Sequence, residues 1–264
     1  MRKTPSGMKH PLRTLLLAVC CGLAAACTQR QERLKLMSYN IRNGIGIDNI
    51  QDIGRIARVI LREAPDLVAL QELDSATLRV DGRYIPGELG RMTGMHATFG
   101  RAIGFAGGSY GIGLLSRTEP LAVRSIPLPG REEARVLLMA EFPDYTVCIT
   151  HLSLTPEDRL ASLPIIREAT DTCRKPVLLA GDFNTGNAAA VLAGLGGGFR
   201  ILSDTTRMTF PSDNPAVRID YILGRGLPTS ATVAESAVDH TATASDHCPL
   251  WVTLVWKRGK QPGK

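Results

Sequence analysis

The chain has 264 residues, 44% hydrophobic and 21% charged, proportions that exclude a disordered or low-complexity protein and allow a sizeable core. Its formal charge of +6 suggests a polyanion partner, but eight of the 31 basic residues lie in 1–26 and 257–264, segments without acids. The body keeps 23 basic against 25 acidic residues, which excludes a uniformly basic nucleic-acid surface and leaves room only for a local patch.

In chain order, Arg2, Lys3, Lys9 and Arg13 precede the apolar run "LLLAVCCGLAAAC" (15–27). A basic stretch followed by a short apolar run reads as an export signal, too short to span a membrane as a mature helix. Its end, Ala24-Ala25-Ala26-Cys27, resembles the lipobox of bacterial lipoproteins, although the usual Leu three places before the Cys is Ala24, with Leu23 one place earlier. That resemblance implies acylation of Cys27, a new N-terminus there and a lipid-anchored protein of the bacterial cell envelope. Plain secretion or periplasmic release is the alternative, and an uncleaved anchor the third. Cys148, Cys173 and Cys248 remain in the body, an odd number without zinc spacing. Buried free thiols are expected, Cys148 above all, while export would permit a disulfide of open pairing.

The segment "LKLMSYNI" (34–41) predicts a strand. Apolar Ile53, Ile56, Ala57, Ile60 and Leu61 fall on one face of a helix over 48–64 that Pro65 ends. "DLVALQEL" (66–73) is a strand, 87–94 a short helix and 110–117 a strand. Further strands are predicted at "RVLLMAEF" (135–142), "YTVCITHL" (145–152), "PVLLAGDF" (176–183), "RIDYIL" (218–223) and "PLWVTLVW" (249–256). A helix over 157–173 should be interrupted or kinked at Pro164, and "AGLGGG" (193–198) reads as a turn. Without repeats or interior linkers, this order predicts one α/β domain over 34–256 with two mixed sheets and helices outside, followed by a basic tail at 257–264.

The apolar runs share a way of ending. A buried carboxylate is costly without a partner, so "VLLAGDFN" should bring Asp182 and Asn184 to the open end of its strand. In the same manner "LKLMSY" delivers Asn40, "DLVALQ" Glu72 and "YTVCIT" His151. Asp246 and His247 enter the last strand, and Asp220 starts its own run. Strand ends must turn polar somewhere, but these residues come from a narrow menu of carboxylates, imidazoles and amides with no Lys. Oxygen donors of this kind suit a hard divalent cation such as Mg2+ or Mn2+.

The motifs "SYNIR", "LQELD", "THL", "GDFN", "RIDYI" and "SDHCPL", in this order, resemble the endonuclease/exonuclease/phosphatase superfamily over 34–256. The resemblance implies a four-layer α/β sandwich of the deoxyribonuclease I type, two packed mixed sheets flanked by helices. It implies that Glu72, with Asn40 beside it and Asp246, binds the metal, which polarises a phosphoryl oxygen. Asp182 would orient or deprotonate the attacking water, and Asn184 would hold that water or the phosphate. His247 would contact the scissile phosphate with its ring held by Asp220, and His151 is a second phosphate contact and candidate donor to the leaving group. Arg42 and Tyr110 are lesser candidates for touching substrate. His96 and His240 fall outside the motifs, and "GGSYGIG" lacks the spacing of a nucleotide-binding loop.

The expectation is a monomeric, exported, metal-dependent phosphoesterase acting on a phospholipid head group, sugar phosphate or nucleotide. A secreted non-specific nuclease is the alternative, though duplex nucleic acid is disfavoured by the body's charge. A non-catalytic lipoprotein binding module is the alternative of a different class; its mark, a substituted ligand, is absent from these motifs.

Overall fold

The computed structural model describes Met1 and residues 31–257; the export signal, Cys27 and all but the first residue of the 257–264 tail lie outside them. Alternation in β1 (Gln31–Asn40) sends Leu34 and Leu36 to one face and Met37 and Tyr39 to the other, and both faces are buried. A strand apolar on both sides belongs to an inner layer. The chain continues through α1 (Ile53–Glu63), β2 (Leu67–Ser75), α2 (Ile85–Thr93), β3 (His96–Phe105) and β4 (Gly108–Ser116). Then come β5 (Ala122–Leu128), β6 (Arg135–Glu141), β7 (Thr146–His151), α3 (Pro156–Asp171), β8 (Val177–Asp182) and α4 (Ala188–Leu195). The two-residue β9 (Arg200–Ile201), β10 (Asp220–Arg225), β11 (Thr232–Val238) and β12 (Leu250–Lys257) complete it.

Two six-stranded sheets result, ordered β11-β12-β1-β2-β4-β3 and β5-β6-β7-β8-β10-β9. Each has one parallel pair at its centre, β1 with β2 and β7 with β8. Between the sheets Leu36, Ala69 and Leu114 meet Leu138, Ile149, Ala180 and Ile222. A second cluster packs Met37, Val68 and Leu70 under Ile56, Ile60 and Leu89 of α1 and α2. A third packs Cys148, Leu179 and Phe183 under Ile166, Val191 and Leu195 of α3 and α4. Helix, sheet, sheet, helix: this is the four-layer α/β sandwich that the sequence predicts.

Several local expectations need correction. Leu61 is 53% exposed, and Val59 takes its place on the buried face of α1. Helix α3 runs through Pro164 without interruption; the carbonyl that the proline leaves without its helical partner is that of Leu160, an exposed residue. The 193–198 segment is half helix, because α4 extends to Leu195 before Gly196, Gly197 and Gly198 turn the chain at positive φ. The cysteines, by contrast, are free as expected, Cys148 and Cys248 buried and Cys173 half-buried.

Gly181 holds the parallel pair together one residue before Asp182. Its φ is +154°, and a Cβ there would stand 2.0 Å from the Thr150 carbonyl oxygen on β7. Gly181→Ala should therefore lower the unfolding free energy by more than about 2 kcal/mol, read by urea denaturation.

Candidate active site

The inner faces of the central strands grade from apolar to polar in one direction. Along β1 the inward series is Leu34, Leu36, Ser38 and Asn40; along β8 it is Leu178, Ala180 and Asp182. Sheet register then fixes the neighbours. Asp182 pairs with His151 across the parallel β7–β8 ladder and with Asp220 across the antiparallel β8–β10 ladder. Because β12 runs antiparallel to β1, with Ser38 opposite Leu250, the segment before β12 returns His247 to Asn40.

These side chains converge on one oxygen. Asp182 Oδ2 lies 3.2 Å from Asn40 Nδ2, 3.5 Å from His151 Nε2 and 3.7 Å from His247 Nε2. Asn40 Nδ2 also donates to Glu72 Oε1 at 2.9 Å, while its oxygen accepts the Arg42 amide at 3.1 Å. Asn40 thus meets both carboxylates through nitrogen. Asn184 donates its own amide hydrogen to Asp182 Oδ1 (2.8 Å) and its side-chain nitrogen to the Leu152 carbonyl (2.8 Å). It ties the end of β8 to the end of β7.

The two imidazoles sit in opposite environments. His247 Nδ1 faces Asp220 Oδ2 at 3.0 Å, and although burial works against the charged ring, Asp220, Asp182 and Asp246 raise its pKa. His151 is pushed well below the usual histidine range by burial, then by Arg135 and His247. Its Nδ1 is 3.2 Å from Arg135 Nη1, and a guanidinium has only protons to give. His151 Nδ1 must accept, so the neutral ring carries its proton on Nε2, toward Asp182. Asp182 itself is raised by burial and by Asp220, with His247, Asn184 and Asn40 opposing.

Backbone strain gathers around the same point. Leu70 and Leu73 both pack in the outer cluster although they are three apart, a spacing that strict alternation forbids. The register shift between them in the β2–β4 ladder supplies the extra residue, and Glu72 adopts φ +58° there. Asn184 (φ +50°), Arg42 (φ +43°) and Asn43 (φ +52°) are also left-handed. Each costs roughly 1–2 kcal/mol in a non-glycine residue.

Of the lesser candidates, Arg42 Nε lies 3.5 Å from Asp246 Oδ2. Tyr110 is buried, with the Arg79 guanidinium 5.3 Å above its ring, and it lines a small recess with His151, Arg135 and Glu133. His96 and His240 stay outside the cluster, the latter on the Met208 carbonyl. Sequence reasoning missed Arg135, Glu132 and Arg79. Arg135 had a signal, since it enters the apolar run "RVLLMAE" as Asp220 enters "DYILGR". Glu132 had none; it accepts from Ser153 Oγ, the Leu154 amide and Arg135, and so shapes the turn after His151.

Carboxylates outnumber the cations that face them here. Glu72, Asp182, Asp220 and Asp246 meet His247 and Arg42, and Asp220 Oδ1 is buried without a hydrogen-bond partner. This excess of hard oxygen donors fits a divalent cation. Asp182, Asp220 and His247 offer ligand atoms within 4.8 Å of one another and form one group able to hold an ion. The close Asp220–His247 bond competes for the ring nitrogen such an ion would need. Glu72 and Asp246 keep carboxylates at the rim, linked to Asn40 directly and through Ser245.

A two-sheet sandwich with acids, amides and two histidines gathered at one end of its parallel strands defines a recognisable class of fold and site. Residues 37–247 match the Endonuclease/Exonuclease/phosphatase family, and the chain belongs to it. No curated protein matches the chain. Among solved structures, an endonuclease/exonuclease/phosphatase from Bacteroides vulgatus is 20% identical, with TM-score 0.69 over 84% of this chain and 98% of that one. A mannosyl-6-phosphatase from Bacteroides thetaiotaomicron is 19% identical, with TM-score 0.67 over 84% and 99%. D. rerio TDP2, complexed with a single-strand DNA product, is 22% identical, with TM-score 0.64 over 84% and 99%. Members of the family include phosphatases and nucleases, and the chain is accordingly a hydrolase by kinship.

Burial tends to raise the Glu132 carboxyl, but its hydrogen bonds from Ser153, backbone amides and Arg135 outweigh this and bring it down to about 2 from 4.5. A depressed carboxyl adds stability above its unfolded pKa and loses that contribution as pH falls through the folded one. Glu132→Gln should therefore lower the urea midpoint at pH 7, with the gap from the parent chain narrowing by pH 3.

Proposed function

We propose that this chain is a divalent-metal-dependent phosphoesterase, exported and acylated at Cys27, whose substrate is a phospholipid head group, sugar phosphate or nucleotide. The observation that carries this reading is the convergence of Asn40, His151 and His247 on Asp182 Oδ2. Asp182 takes a proton from water as the water oxygen bonds to phosphorus and the opposite phosphorus–oxygen bond breaks. His247, held by Asp220, offers positive charge to the phosphoryl oxygens. His151 Nε2–H, held in its tautomer by Arg135, hydrogen-bonds the phosphoryl or leaving oxygen while keeping its proton, and the leaving oxygen departs as an oxyanion that takes its proton from solvent. Mg2+ or Mn2+, held by Glu72 and Asp246, would supply Lewis-acid polarisation of the phosphoryl group.

The mannosyl-6-phosphatase among the structural relatives supports a sugar phosphate as one substrate class. A nuclease is the second reading, supported by the single-strand DNA product held by D. rerio TDP2. Arg42, Arg79 and Arg135 each pair with a carboxylate, Asp246, Asp74 and Glu133 respectively, which weakens the case for a basic rim around duplex DNA.

Bis-p-nitrophenyl phosphate and p-nitrophenyl phosphate, offered to the purified chain with Mg2+, Mn2+ or chelator, test the reading. Hydrolysis should need the metal, and Asp182→Asn and His247→Ala should each lower kcat/KM roughly a thousandfold. The preferred ester separates diesterase from monoesterase. Absence of both hydrolysis and divalent-ion binding would instead establish a non-catalytic module.

A further inference from the structure

Beside His151 the two sheets frame a corner that the hydrolytic step leaves unused. Alternation along β4 puts Tyr110 on the same face as Ile112 and Leu114, which pack between the sheets. Ile103 of β3 pairs with Tyr110, and Phe105, two residues on, shares that face. The Phe105 and Tyr110 rings stand 6.2 Å apart, centroid to centroid. Arg79 lies over both, 4.7 Å from the first ring and 5.3 Å from the second. Its plane is fixed, because Nε and Nη2 donate to the fully buried Asp74 at 2.8 and 3.2 Å and Nη2 to Asn43 Oδ1 at 2.9 Å. The Leu78 amide donates to the Ala106 carbonyl at 2.8 Å and so pins the turn bearing Arg79 to the hairpin bearing Phe105. From the second sheet comes Glu133, which lines one recess with Tyr110, Arg135 and His151 and accepts at Oε1 from Arg135 Nη1 at 3.0 Å. Burial raises the Tyr110 hydroxyl, and Glu72 and Glu133 add to the rise, so both carboxylates flank that ring.

We propose that this corner is a leaving-group subsite for an uncharged hydroxylated ring, a hexose or a cyclitol, borne by the phosphate that His151 contacts. Three unlike groups remain open there. Phe105 is 39% exposed. Arg79 is partly exposed, and among the described residues nothing accepts from its Nη1. Glu133 is partly exposed too, and among the described residues nothing hydrogen-bonds its Oε2. A sugar or cyclitol ring has a C–H face, hydroxyl hydrogens to donate and hydroxyl oxygens to accept, and the corner meets each with an aromatic ring, a carboxylate and a guanidinium. Charge excludes a polyanion. Asp74 matches Arg79, and Glu132 and Glu133 match Arg135, so no surplus cation awaits the next phosphate of a nucleic-acid strand. A plain alkyl group would cover the carboxylate and guanidinium without pairing them. The ring's attachment through phosphate rests on the phosphoesterase reading, whereas its binding rests on these three groups alone.

Two measurements on the purified chain test the subsite. The first, with Mg2+, compares phosphate release from hexose 6-phosphate, inositol 1-phosphate and propyl phosphate, or hydrolysis of their methyl diesters if the chain prefers diesters. At least one ring ester should exceed the propyl ester in kcat/KM by about tenfold, and the better of the two separates hexose from cyclitol. Glu133→Gln and Phe105→Ala should each erase most of that preference through KM, and Phe105→Tyr should keep it. Equal use of the propyl ester overturns the proposal, as does a preference that both variants retain. So does a nucleoside monophosphate or single-stranded oligonucleotide that outpaces both rings and loses its lead in Phe105→Ala, which would make the corner a base-stacking site. The second measurement is saturation-transfer NMR with methyl glucoside and myo-inositol in the absence of metal. Ring protons of at least one should be saturated by the parent chain and not by Phe105→Ala; transfer to neither ring overturns the subsite. Saturation of a ring by a chain that hydrolyses none of these esters, nor bis-p-nitrophenyl phosphate, would sink the phosphoesterase reading and leave the subsite standing.

Discussion

A carboxylate with 1% of its surface exposed, placed where two β-sheets meet, is the constraint around which this molecule is arranged. Asp182 cannot lose its hydration without several kcal/mol of compensation from fixed partners. Those partners come from both sheets: Asn40 from one, His151 from the other, and His247, held by Asp220, from the segment leading back into the first. The parallel pairs β1–β2 and β7–β8 are what allow this, because parallel strands finish at the same edge and deliver their terminal side chains together. The apolar inner layer beneath is the close-packed floor on which these strand ends rest.

Environment sorts chemically identical groups into different roles. Two imidazoles within reach of one aspartate end up with opposite tendencies, His247 toward the cation among three carboxylates and His151 toward the neutral ring beside a guanidinium. Such divergence is how one site supplies both a fixed positive charge and a neutral donor. Arg135 accomplishes this without facing the aspartate at all. It sets which nitrogen of His151 bears the proton.

The inner strands were legible in the sequence because burial on both faces leaves unbroken apolar runs, and each run visibly stops at a polar residue. Motif order over 34–256 supplied the grouping of those ends. The outermost strands were not legible: β5 and β11 expose most of their residues, and β3 alternates only weakly, so their pairing leaves little trace in composition. Helix α4 was hidden by its small residues and by the glycines that follow it. At the site, Asn40 and Glu72 were identifiable, but not the bulge that aims Glu72 nor the amide nitrogen by which Asn40 meets it. Both depend on tertiary contacts between residues more than thirty apart. The same holds for Glu132, an ordinary surface acid until Ser153 and the Leu154 amide close upon it.

The last described strand lies beside the first, and it sits inside its sheet, between β11 and β1. A ribosome releases β1 long before β12, so β1 waits without that neighbour until β12 emerges. Such far-apart pairing makes for late, slow assembly. It also means that Asn40 has no His247 beside it in any nascent chain that stops short of that residue. The complete cluster, on this topology, forms only once His247 and β12 have been added, and a product truncated before His247 would carry every strand of the second sheet and still lack that imidazole beside Asn40.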